Sequence, residues 1–158
     1  MKTKLITKKG FKKLEKELEQ LWLKERPIIT EKVSWAASLG DRSENADYKY
    51  NKQKLREIDR RIRFLRKTLE DIKVVEYHAQ QEGRVFFGAW VELEDDEGMI
   101  IKFRIVGPEE IYGRNDYISV DSPMARACLK KVVNDEVEVK IPAGIKRWSV
   151  RGITYREE

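Results

Sequence analysis

The sequence predicts an α+β chain in two domains: an N-terminal antiparallel coiled-coil hairpin, then an antiparallel β-sheet carrying one short helix. Three observations predict it. Apolar residues recur every three or four positions through residues 11–36 and again through 48–72. The period then falls to two from residue 85 onward. Between these regions lies a polar stretch, His78-Ala79-Gln80-Gln81-Glu82-Gly83. The expected boundaries are 1–77 for the hairpin with its tip at 40–48, 78–83 for the linker, and 82–158 for the C-terminal domain. A chain of 158 residues is long enough to bury a core.

The first helix is expected to start at Thr7, whose hydroxyl can cap. Phe11, Leu14, Leu18, Leu21 and Trp22 follow on one face. Glu25 breaks that stripe, and Ile28 or Ile29, Val33 and Ala36 resume it. Pro27 lacks an amide hydrogen, so a kink is expected there. Gly40 suits a helix end. In the second helix Tyr48, Asn51, Leu55, Ile58, Ile62, Leu65, Leu69 and Ile72 form an unbroken heptad seam. A short joint makes the two helices antiparallel neighbours. About 30 residues per arm at ~1.5 Å each give a rod of roughly 45 Å.

Past the linker, 85–87, 89–94, 99–106 and 117–120 read as strands, with a turn at Asp95-Asp96-Glu97-Gly98 and a stop at Gly107-Pro108. Ser122 and Pro123 open a short helix over 123–131, serine capping and proline at its first position. The alternations at 137–141 and 148–155 complete the sheet.

Charge divides the chain. Residues 1–76 hold 21 basic and 13 acidic side chains, and 77–158 hold 12 and 15. The N-terminal half is therefore the candidate polyanion-facing half. The single cysteine, Cys128, excludes an intramolecular disulfide and reads as a buried small hydrophobe. No apolar run has the length of a signal peptide core or a membrane span, so a cytoplasmic protein without membrane contact is expected. The sequence holds no Cys/His cluster, P-loop or dinucleotide motif. Its lone His78 falls in the linker, away from any partner for nucleophilic chemistry.

What remains is the acidic tip. Asp41, Glu44 and Asp47 fall within seven residues at the turn of the hairpin. One reading is structural, because Asp41-Arg42-Ser43-Glu44 has the form of a capping box. The other is chemical. Behind the tip, residues 60–67 carry five positive charges and no negative one. Acids at the end of a basic rod repel phosphate unless they hold a divalent cation beside it, and Mg²⁺ takes one or two carboxylates plus water and substrate phosphate.

Gly-Asp-Arg-Ser-Glu-Asn-Ala-Asp-Tyr (40–48) at the turn resembles the tip motif of the bacterial Gre transcript-cleavage factors. Residues 35–39 and 50–61 resemble the GreB branch of that family, and 86–89, 103–107 and 118–126 extend the resemblance over the whole chain. The resemblance implies a C-terminal domain similar in fold to FKBP prolyl isomerases. It implies a hairpin that enters the secondary channel of RNA polymerase and stimulates cleavage of the nascent transcript in backtracked complexes, so that elongation resumes. On it, Asp41 and Glu44 match the catalytic acids, with Asn45, Asp47 and Tyr48 in the same motif. Lys49, Lys52, Arg56, Arg60 and Arg63 stand behind them to face extruded RNA. Asp121, Ser122 and Pro123 match the polymerase-docking loop. The Mg²⁺ is shared with the polymerase, whose own active centre is the enzyme, and the factor is expected to be a monomer.

Three other readings compete. A channel inhibitor of similar shape blocks without cleaving, but its tip departs from the motif. A free RNA-binding arm binds RNA without polymerase and with steep salt dependence. A prolyl isomerase needs an aromatic-lined pocket, for which Phe86, Phe87, Trp90, Phe103, Tyr112 and Trp148 are the candidates.

Overall fold

The computed structural model describes residues 2–40 and 44–156. They form two compact units, Phe11–Asp71 and a second made of 1–10 with 72–158. The expected boundary of 1–77 for the hairpin thus differs from the observed unit at both ends. The reason is a short parallel strand pair, β1 (Leu5–Thr7) with β2 (Lys73–Val75), which draws both ends of the helical segment into the second unit.

In the helical unit the first arm runs through α1 (Lys8–Gln20), a π-helical turn (Leu21–Glu25) and α2 (Arg26–Ala37). The second arm is α3 (Ala46–Asp71). The arms are antiparallel: Ala36 meets Asn45, Arg26 meets Asp59, and Glu17 meets Arg61. The expected seam is the buried one, with Leu14, Leu21 and Ala36 against Asn51, Ile58, Ile62 and Leu65. Ile29 is half-buried and Ile28 exposed, so Ile29 is the residue that resumes the stripe. Trp22 was expected on the seam and is instead exposed, its ring under the guanidinium groups of Arg66 and Arg26 at 4.7 and 5.5 Å.

The irregularity expected at Pro27 falls one turn earlier. The Arg26 amide donates to the Leu21 carbonyl, five residues back, immediately before the proline that has no amide to give. The π-helical turn also takes up an extra residue. Leu14 and Leu21 are seven apart, as are Ile29 and Ala36, but Leu21 and Ile29 are eight apart. Without that turn the stripe would rotate off the seam by about 100°.

In the second unit a five-stranded sheet runs in the order β5-β4-β3-β7-β6, from β3 (Trp90–Asp95), β4 (Ile100–Val106), β5 (Tyr117–Ser119), β6 (Glu136–Ile141) and β7 (Gly144–Thr154). One helix, α4 (Pro123–Cys128), lies on it, and Ala125 and Cys128 join the core with Val91, Leu93, Phe103, Ile105, Val137, Trp148 and Val150. The sheet is mixed, whereas an antiparallel one was expected. β5 pairs parallel to β4 because the ten residues after Val106 carry the chain back before it pairs.

Residues 85–87 form no strand; Gly88 turns the chain at φ 91° and the Ala89 amide bonds back to the Phe86 carbonyl. α4 is also shorter than expected, since Leu129 is extended and Lys130 takes φ 72°. The aromatic candidates for an isomerase pocket disperse: Phe103 and Trp148 belong to the core, Trp90 is buried, and Tyr112 is exposed. No helix among the described residues is long and apolar enough to cross a membrane.

Candidate functional site

The tip is held by one side chain. Asn45 precedes α3, and its Oδ1 accepts the Tyr48 amide at 3.0 Å, which is N-cap geometry. Its Nδ2 donates to the Ala36 carbonyl at 2.7 Å, which also accepts the Leu39 amide at 3.2 Å in the last turn of the first arm. A single side-chain amide thus ties the end of one arm to the start of the other. An acid cannot do both, because a carboxylate only accepts. The capping-box reading of Asp41-Arg42-Ser43-Glu44 therefore needs correction at its acidic end: Asn45 is the cap, and Glu44 lies outside the helix, exposed. Glu44 makes no hydrogen bond or ion pair with another described residue. Asp41, with Arg42 and Ser43, lies outside the described residues.

Asp47 sits exposed in the first turn of α3, where a negative charge complements the helix dipole. Its carbonyl accepts from the side chain of Asn51, the one polar residue buried in the seam. Tyr48 is half-buried, and its hydroxyl accepts from Lys52 at 2.8 Å. Among the described residues no three His, Cys, Asp or Glu side chains gather as a metal site. Carboxylate oxygens such as that of Glu44 suit a hard cation, but the described residues alone do not complete its shell.

Lys49, Lys52, Arg56, Arg60 and Arg63 are all exposed. Their spacing of three or four residues places them on one stripe of α3, on the side away from Asn51, Ile58, Ile62 and Leu65. None of the five pairs with an acid among the described residues. Two acids of that region are taken by other cations, Asp59 by Arg26 at 2.6 Å and Glu17 by Arg61 at 2.7 Å, and Glu57 accepts from Gln53. The stripe is therefore uncompensated positive charge, extending roughly 21 Å from Lys49 to Arg63 at ~1.5 Å per residue.

At the other candidate surface, Ser122 caps α4 by accepting the Ala125 amide at 3.2 Å, and Pro123 is exposed at the first helical position. Asp121 faces elsewhere. Its Oδ2 accepts the Thr3 amide at 2.8 Å and its Oδ1 the Thr3 hydroxyl, and these bonds hold its carboxyl below the usual carboxylate range. Nothing in the sequence marked Thr3. Glu110 does the same four residues further along the N-terminal segment. It accepts from the amide of Thr7 at 3.0 Å, from the Thr7 hydroxyl, and from the Gly107 amide at 2.8 Å. Thr7 in turn caps α1, accepting the Gly10 amide at 3.1 Å, as its position in the sequence predicts.

A helical hairpin with an exposed acid at its turn, a basic stripe behind it and a separate mixed sheet is the build of an accessory factor. Comparison with known proteins makes the class specific. Residues 4–74 match the family model described as transcription elongation factor, N-terminal, and residues 80–155 the one described as transcription elongation factor, GreA/GreB, C-term. The protein named transcription elongation factor GreB of Pseudomonas syringae pv. tomato is 66% identical over 155 residues, covering 98% of this chain and 99% of that one. The protein of the same name from Vibrio vulnificus is 65% identical over 156 residues, covering 98% of each. The crystal structure of GreA factor homolog 1 of Thermus thermophilus is 25% identical over 95% of this chain and 97% of that one, at a TM-score of 0.43, too loose a likeness to build on. The chain belongs to the GreA/GreB family of transcription elongation factors, and the two relatives just described carry the name of its GreB branch.

Proposed function

We propose that this protein inserts its hairpin into the secondary channel of RNA polymerase and stimulates cleavage of the transcript in backtracked, arrested complexes. The observation that carries the reading is the division of labour at the tip. Asn45 ties the two arms together, which leaves Glu44 exposed and without a partner among the described residues. An acid with no structural duty, placed at the tip of a basic arm, suits a site that another protein completes.

In this reading Asp41 and Glu44 hold a Mg²⁺ within the polymerase active centre, and the protein has no complete catalytic site of its own. That ion would polarise a phosphoryl oxygen and lower the pKa of a water. Asn45 and Asp47 order the turn that presents the two acids. Lys49, Lys52, Arg56, Arg60 and Arg63 offset the phosphates of the extruded 3′ end of the nascent RNA. The loop at Asp121, Ser122 and Pro123 docks on the polymerase, with the factor acting as a cytoplasmic monomer.

The test adds the protein to stalled, backtracked elongation complexes and resolves the RNA on a gel. Asp41→Asn or Glu44→Gln should slow cleavage by roughly tenfold or more, a loss of at least ~1.4 kcal/mol of transition-state stabilisation. Polymerase binding should hold, and higher Mg²⁺ or Mn²⁺ should restore part of the rate by mass action. Full cleavage by a folded protein with both acids neutralised would refute the reading. Tight polymerase binding without any cleavage by the parent protein would make it a channel blocker, and RNA binding without polymerase a free arm.

A further inference from the structure

We propose that the N-terminal arm, residues 2–4, is part of the surface that docks on RNA polymerase, and that Asp121 is a positioning residue that holds the arm there. The inference rests on the docking reading given above and changes what Asp121 does within it.

Asp121 is the acid of the docking loop, yet both of its carboxylate oxygens are turned onto Thr3. The loop itself is hydrogen-bonded without that side chain: the Val120 amide donates to the Val106 carbonyl, the Ser122 amide to the Ser119 carbonyl, and Ser122 caps α4. The carboxylate is thus not needed to shape its own loop, and what it fixes is the arm. The arm is pinned along its length. Lys2 reaches Glu109 at 3.6 Å, the Lys73 amide donates to the Lys4 carbonyl at 3.0 Å, and Ile6 is wholly buried. Glu110 then fastens Thr7.

Lys2, Lys4 and Pro123 are exposed, while Thr3 and Asp121 between them are half-buried. A partner that approaches the loop through Pro123 therefore meets the arm beside it, and Asp121 lies underneath the contact. Removing the Asp121 carboxylate would weaken docking by releasing the arm.

The experiment uses the full chain. Amide exchange at Thr3 is followed in the free protein, and affinity for RNA polymerase is measured by competition with labelled parent protein. Asp121→Ala and Thr3→Val should each speed exchange at Thr3 and each weaken binding by about threefold or more, and the double variant should bind no worse than Asp121→Ala alone. Thr3→Ser, which keeps the hydroxyl, should rescue the loss seen with Thr3→Val. If Thr3→Val binds like the parent while Asp121→Ala is weak, Asp121 touches the polymerase directly: the inference falls and the docking reading stands. Unchanged exchange at Thr3 in Asp121→Ala also overturns the inference. If Asp121→Ala frees the arm but it and a Pro123 variant bind like the parent, the docking reading falls and the inference goes with it.

Discussion

Replacing Asn45 with alanine tests the joint that closes the hairpin. The change removes an N-cap acceptor from the Tyr48 amide and a donor to the Ala36 carbonyl. Loss of an asparagine cap costs ~1 kcal/mol. Loss of a part-buried hydrogen bond costs about 1 kcal/mol more. Together, ~2 kcal/mol favours local opening of the tip by roughly 30-fold. Amide exchange at Tyr48 reads that opening directly. Asn45→Asp separates the two bonds: it keeps an acceptor for the helix start and loses the donor to Ala36, so exchange at Tyr48 should rise less than in the alanine variant. Glu44→Gln should change stability by less than ~0.5 kcal/mol, since Glu44 supports no described neighbour. If Asn45→Ala leaves Tyr48 exchange near the parent rate while Glu44→Gln raises it, the acids cap the helix. The argument for Glu44 as a functional acid then collapses.

Three further outcomes are expected. Gly107→Ala should destabilise the protein by about 1–3 kcal/mol in thermal unfolding, because a Cβ there would overlap the Leu5 carbonyl although φ at −73° suits any residue; an unchanged midpoint would mean that β1 yields freely. The Asp95 carboxyl is held below its ordinary value first by the Met99 amide, then by the Glu97 amide and Lys146. Its contribution is full above the unfolded pKa of ~3.9 and is lost as pH falls through the lower folded value, so Asp95→Asn should flatten the stability profile in that acid window. Burial pushes the Cys128 thiol up to about 12, so alkylating reagents at neutral pH should label it only after unfolding.

The heptad seam and the caps at Thr7 and Ser122 were legible because each rests on neighbours within a turn or two. Leu14, Leu21, Ile58, Ile62 and Leu65 are buried where the spacing places them. β1 was invisible for the opposite reason. Three residues, Leu-Ile-Thr, carry no period of their own and become a strand only through Lys73–Val75, more than sixty positions away. The parallel entry of β5 depends in the same way on where a ten-residue connection leads. At the tip, Asn45 as the cap was not legible, because its second bond depends on the Ala36 carbonyl across the hairpin, which a carboxylate cannot reach as a donor.

The pairing of β1 with β2 also constrains how such a chain can be remodelled. The whole helical segment is an insertion between two adjacent strands, so its length can change by whole heptads in both arms without moving either foot. Yet the strands are parallel, and a tight two-residue turn cannot join them. A minimal variant stripped of its helices would still need a crossover of about a dozen residues to keep its first strand. Loss of the hairpin by simple excision would therefore also unpair the N-terminus, so the two feet constrain deletion far more than extension.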